Sequence, residues 1–198
     1  MSYFKRELIT ISLFLSLSTC YSQQENQNYF FQQLGWSITL PLDFSLIDLM
    51  DNWDIAHGNE ETSEQYANDF EAAIPDLQTM VVAIKDRFNY FNITIYPFDT
   101  TTDGDWKKEM QSFKHLAYKT MVKNIGNGTV DTATSIKYID GLAFEQFHIS
   151  GTGIKGDKLD MFLLGKCYKG YDVAITYVCG DIETQKQIEL MLKSSRLE

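Results

Sequence analysis

Between residues 129 and 179 the chain carries four strand-like stretches in succession, near 129–139, 142–150, 159–168 and 171–179. Two of the joints between them are two-residue turns. Asp140-Gly141 is a hairpin signal, because the tightest turn between strands needs positive φ at both central residues. Lys169-Gly170 closes the last pair in the same way. Strands joined by such turns must run antiparallel, since a parallel pair needs a crossover of a dozen or more residues. This stretch therefore restricts the chain to an antiparallel sheet before anything else is read.

The flanking segments add helices and more strands. "GWSITLPLDF" sets Trp36, Ile38 and Leu40 in alternation, the pattern of a half-buried strand that ends at Pro41. Thr62-x-x-Gln65 fits a capping box, and Tyr66, Phe70, Ala73 and Ile74 follow at helical spacing until Pro75. "LQTMVVAIK" and "YFNITIYPF" read as two strands paired through a turn between Asp86 and Asn89, with Phe91, Ile93 and Ile95 on one side. A long helix starts after Asp103 or Asp105. Trp106, Met110, Phe113, Ala117 and Met121 form its apolar stripe, and Gly126 stops it. A last helix covers about 182–195, with Ile188, Met191 and Leu192 turned inward. Helices separated by groups of antiparallel strands imply an α+β fold: a sheet of about six to seven strands with helices packed on it.

The first 24 residues, MSYFKRELITISLFLSLSTCYSQQ, have a basic pair at Lys5 and Arg6, an uncharged run from Leu8 to Leu17, and then small polar residues. That is the layout of a secretory signal peptide, and the apolar run is shorter than the roughly 20 residues a membrane span needs. Two cleavage readings compete. Cutting after Ser22 leaves Gln23 first. Alternatively, Leu17-Ser18-Thr19-Cys20 resembles a lipobox, with Cys20 as the acylated residue, although Thr before the cysteine is larger than usual. Ordinary secretion is the preferred reading. The expected organisation is a signal peptide over 1–22, a polar tether over 23–29 and one globular domain over 30–198. Removing 22 of the 198 residues leaves 176, enough for a single core.

With 44% hydrophobic and 14% aromatic residues, the chain has the material to fold as a globule. Its net charge of −10 disfavours nucleic acid, which needs basic patches, and also electrostatic docking on anionic lipid. Contact with a membrane is expected only through a lipid on Cys20. Cys167 and Cys179 are an exported pair, which suggests a disulfide. The hairpin register argues against one. Cys167 falls opposite Asp172, and Cys179 lies seven residues further on, about 23 Å along a strand, whereas bridged Cα atoms lie within about 7 Å. Two unpaired thiols are expected, both buried as small apolar side chains.

The quoted stretches "GWSITLPLDF", "NYFNITIYPFD", "IDGLAFEQFHISG" and "GYDVAITYVCGD…IELMLKSSRL" together resemble the PsbP/Mog-type fold family, over roughly residues 30–197. The resemblance implies an antiparallel sheet sandwiched between helices (α/β/α). It carries no catalytic residue across, because its motifs are strands, a turn and a terminal helix. Its relatives range from photosystem accessory subunits to Ran-binding proteins, so the fold does not set a function.

Candidate chemistry is sparse. His57, His115 and His148 are the three histidines, and none has a His or Cys at ligand spacing, so no zinc site and no cofactor is expected. His115 sits about 180° from Trp106 on the helix wheel, on the solvated side. His148 lies on a strand, where a hydrogen-bonded sheet residue is commoner than a base. Asp99, Asp103 and Asp105 in "DTTTDGD" lack the spacing of a calcium loop, and a turn with a helix cap explains them. The sequons at Asn92 and Asn127 carry little weight in a chain with a bacterial-type signal. Tyr118, Tyr168 and Tyr171 are candidates for a binding surface. Three roles remain open for an exported envelope protein: a non-enzymatic binding or accessory module with a protein or small-molecule partner, an enzyme with a dispersed site around His148, and an immunity-type protein that neutralises a basic toxin.

Overall fold

The structure, a computed structural model, describes residues 28–46 and 78–198. The expected signal peptide with Cys20, the helix read after Thr62, and His57 lie outside the described residues. No helix among the described residues is long and apolar enough to cross a membrane.

The strands are β1 (Asn28–Phe31), β2 (Trp36–Thr39), β3 (Ser45–Leu46), β4 (Gln78–Asp86), β5 (Asn89–Pro97), β6 (Thr129–Ile139), β7 (Leu142–Thr152), β8 (Lys158–Tyr168), β9 (Tyr171–Cys179) and β10 (Arg196–Leu197). The helices are α1 (Trp106–Ile125), between β5 and β6, and α2 (Ile182–Ser194), between β9 and β10. Seven strands form one antiparallel sheet in the order β3-β4-β5-β9-β8-β7-β6, and a small sheet has the order β1-β2-β10. Two expectations change here. Asn28 and Tyr29, placed in the polar tether, already pair with Thr39 and Ile38 as part of β1. The "GWSITLPLDF" strand, β2, joins the small sheet rather than the large one.

Both tight hairpins form as expected. Asp140 and Gly141 have φ of 44° and 81°, and Lys169 and Gly170 have 50° and 77°. The Lys169 side chain ties its turn to the small sheet, donating to the carbonyls of Leu34 at 3.0 Å and Glu198 at 2.7 Å.

The large sheet is covered on both faces. Phe91, Ile93, Ile95, Phe162, Leu164, Ile175 and Tyr177 face a core shared with the small sheet and with Ile188, Met191 and Leu192 of α2. Their neighbours in the strands, including Tyr90, Met161, Leu163 and Val178, face Met110, Phe113, Ala117 and Met121 of α1. The result is a three-layer sandwich. Period-2 alternation is what sends successive side chains to opposite layers.

Two glycines let α1 lie close on the sheet. A Cβ at Gly165 would stand 2.8 Å from Met110 Sδ, and one at Gly151 would stand 2.8 Å from Ile125. Trp106 Nε1 donates to buried Asp172 at 2.8 Å and fixes the start of the helix. Lys114, buried, pairs with Glu145 of β7.

Both described cysteines are free, as expected. Cys179 is buried but Cys167 is exposed, contrary to the expectation for that residue. Cys167 stands at the end of β8, beyond the buried run from Met161 to Gly165 and next to the Tyr168–Tyr171 pair that closes the hairpin.

Candidate functional site

The acid–base groups that the fold brings together lie on β7 and β8. These strands pair Ser150 with Asp160 and His148 with Phe162. His148 and Asp160 are therefore diagonal neighbours on one face of the sheet. His148 Nε2 lies 2.8 Å from Asp160 Oδ1. The imidazole is about one-third exposed, and the Asp160 side chain is half as exposed, at 16%.

The ring of His148 stacks flat on Phe162, with centroids 4.3 Å apart and an interplanar angle of 1°. Phe162 stacks in turn on Tyr177 at 4.6 Å. His148, Phe162 and Tyr177 occupy the same row on adjacent strands, so β-sheet register alone lines up the three rings. Tyr177 is fully buried, and burial, with Glu189 and Cys179 nearby, pushes its hydroxyl pKa upward. Burial, with Asp181, Asp160 and Glu189 around it, pushes the Cys179 thiol up to about 12, so it stays a protonated core group.

Asp160 gathers several donors. Its partial burial favours the neutral acid, but hydrogen bonds from His148 and Ser150 and the charge of Lys158 outweigh this and hold its pKa below the ordinary carboxylate value. Lys158 Nζ lies 3.4 Å from Asp160 Oδ2. This arrangement fixes the imidazole ring and holds a negative charge beside it, as in any orienting carboxylate–histidine pair. The Ser150 hydroxyl, on the same face, helps to hold the Asp160 carboxyl in its charged form.

The other sequence candidates fall elsewhere. His115 is exposed on α1. Asp99 accepts from the backbone and hydroxyl of Thr101, Asp103 accepts from the Asp99 amide, and Asp105 caps α1 by accepting from the Lys107 amide. The three carboxylates are thus committed to a turn and a cap. No group of three or more His, Cys, Asp or Glu side chains placed to hold a metal occurs among the described residues. Asn92 is buried in β5, and Asn127 is exposed after α1. Tyr118 is exposed on α1, whereas Tyr168 and Tyr171 pack against the core. Sequence reasoning missed Asp160, Ser150 and Lys158. Their one signal is the pairing register of β7 with β8, which the irregular segment between the two strands hides.

No family model and no curated protein sequence matches the chain. Among solved structures, the chain is similar to cyanobacterial PsbP (CyanoP) from Synechocystis, at 10% identity over 92% of this chain and 99% of that one, with a TM-score of 0.50. It is also similar to a protein from Bacteroides thetaiotaomicron, at 7% identity over 88% of this chain and 49% of that one, TM-score 0.47. LpqN of Mycobacterium tuberculosis, described as involved in cell envelope biogenesis, matches at 10% identity over 87% of this chain and 90% of that one, TM-score 0.44. The likeness to CyanoP shows the fold: the chain adopts the PsbP-type α+β sandwich that its sequence resembles.

Proposed function

We propose that the protein is an exported, non-enzymatic binding or accessory module of the cell envelope. The export half rests on the basic and then apolar first stretch and its polar sequel. The observation that carries the other half is the state of the His148–Asp160 pair. Its carboxylate is taken up by His148, Ser150 and Lys158, and its ring is stacked face-on against Phe162. The pair acts as a rivet between β7 and β8, and recognition falls to the surface of the sandwich.

A second reading has one specific observation in its favour. A carboxylate does stand 2.8 Å from His148, which is the first requirement for a dispersed acid–base site.

One experiment separates the two readings. The protein is purified from the envelope fraction of its native host, weighed intact, and compared with His148→Asn in partner capture and in hydrolysis of a panel of activated esters. The expected result is a mature chain starting at Gln23, a retained partner that both chains bind, and no turnover. Turnover lost in His148→Asn would establish the enzyme. A diacyl or triacyl mass increment on Cys20 would replace ordinary secretion with a lipid anchor. A full-length chain recovered from the cytoplasm would sink the export half.

A further inference from the structure

Strand β6 ends the large sheet, and among the described residues only β7 is hydrogen-bonded to it. It is eleven residues long, contains no proline, and pairs with β7 without a bulge. Natural edges are usually blunted by shortness, proline, bulges or several lysines, because an unguarded edge recruits another strand. Lys137 is the one lysine here, and Ile136 and Tyr138 stand 55% and 66% exposed.

We propose that β6 is a self-pairing edge: two copies of this chain join antiparallel about Thr134 to make one continuous fourteen-stranded sheet from two sheets of seven. Three features of the strand select this partner and this register. The first is hydrogen-bond direction. The two-residue turn makes Ile139 and Leu142 a hydrogen-bonded pair, so odd-numbered residues of β6 bond β7. Val130, Thr132, Thr134, Ile136 and Tyr138 then turn their N–H and C=O groups outward. Pairing about Thr134 sets outward groups against outward groups.

The second feature is charge. Thr134 is the midpoint of β6, and this axis sets Asp131 opposite Lys137 of the second copy, twice by symmetry. Moving the axis one residue either way sets Asp131 opposite Ser135 or Ile139 instead. Lys137 has Glu189 at 3.9 Å in its own chain, so Asp131 of the second copy would complete a carboxylate–ammonium–carboxylate bridge. The third is side-chain matching. Ile136 falls opposite Thr132 and Tyr138 opposite Val130, giving the β-branched and aromatic cross-strand pairs that stabilise sheets and covering both exposed apolar side chains.

Sedimentation equilibrium of the purified chain, over a range of concentrations, tests this. The expected result is a reversible dimer. Asp131→Lys and Lys137→Asp should each weaken self-association by about tenfold, since each sets two like-charged pairs face to face. An equimolar mixture of the two variants should associate again, because a mixed dimer restores opposite charges at both contacts. Thr134→Pro removes an outward N–H, a position where an edge strand tolerates proline, so it should leave the melting curve of the monomer in place and abolish the dimer. A chain that is monomeric at every concentration overturns the proposal. So does a dimer indifferent to Thr134→Pro, or a mixture of the charge variants that associates no better than either alone.

Discussion

Asp160 shows how one residue can set the acid limit of a fold. Its carboxyl pKa in the folded protein is lower than in the unfolded chain, because the donors around it outweigh its burial. The ionised form therefore contributes stability that is fully present above the ordinary carboxylate value of about 4. That contribution is lost as the pH falls through the lower folded value. Asp160→Asn is expected to be less stable than the parent at neutral pH, and the gap should narrow below about pH 4, where the parent also loses the charge. Urea unfolding at a series of pH values checks this, and a gap that stays constant or widens on acidification would contradict it. The groups that lower the Asp160 pKa are His148, Ser150 and Lys158, so Lys158→Ala should reproduce a small part of the effect. Lys158 is 60% exposed, and a screened surface charge contributes little.

At the scale of elements, the two helices begin on the same chemistry in different surroundings. Asp105 accepts from the Lys107 amide at 2.9 Å in an exposed position. Asp181 accepts from the Thr184 amide at 2.8 Å and also from the Thr184 hydroxyl, and Thr184 is fully buried. Lys85 Nζ reaches the same hydroxyl at 3.1 Å, which ties α2 to β4. Asp105→Ala should cost about 1 kcal/mol, the usual loss for a helix cap. Asp181→Ala should cost about 2 kcal/mol, because a buried donor loses its acceptor as well. Chemical denaturation of both variants checks the order, and equal losses would mean that Thr184 finds another acceptor. Both helices, the start of α1 at Asp103 or Asp105, and the two hairpins were legible in the sequence because their determinants are local: stripes of period 3.6, an aspartate before the first of them, and two turns that need positive φ. The cap of α2, Asp181, was not singled out. The small sheet was not legible. β10 has two residues and pairs with Ser37 and Trp36 from the other end of the chain, too short for any periodicity and too distant for any turn signal. The His148–Asp160 contact was hidden for a related reason. His148 was read as a hydrogen-bonded sheet residue, and it is one, but its partner depends on register across an irregular connection.

For the whole molecule, the deciding feature is that the sheet is buried on both faces. β9 lies at its centre between β5 and β8, and every residue from Asp172 to Cys179 is buried. This explains why "DVAITYVC" and "MFLLG" read as nearly continuous apolar runs, whereas β6 shows mostly exposed residues. The non-consecutive neighbours β5 and β9 pair across the long span of chain that holds α1 and β6 to β8, so the centre opens only when the whole sandwich opens. Amide hydrogen exchange should therefore divide the sheet by position. The central amides of β5, β8 and β9 should exchange only through global unfolding, with protection matching the free energy of denaturation. In the Asp131→Lys chain, which disfavours self-pairing, β6 should show an alternating pattern. Amides of Asp131, Ala133, Ser135 and Lys137 bond β7 and should be protected, while those of Thr132, Thr134, Ile136 and Tyr138 face outward and should exchange within the dead time of the experiment. In the parent chain at dimer-forming concentration the outward set should become protected too. An outward set that is already protected in dilute Asp131→Lys would mean that another part of the chain covers this edge, and β6 would then have no open groups with which to join a second copy.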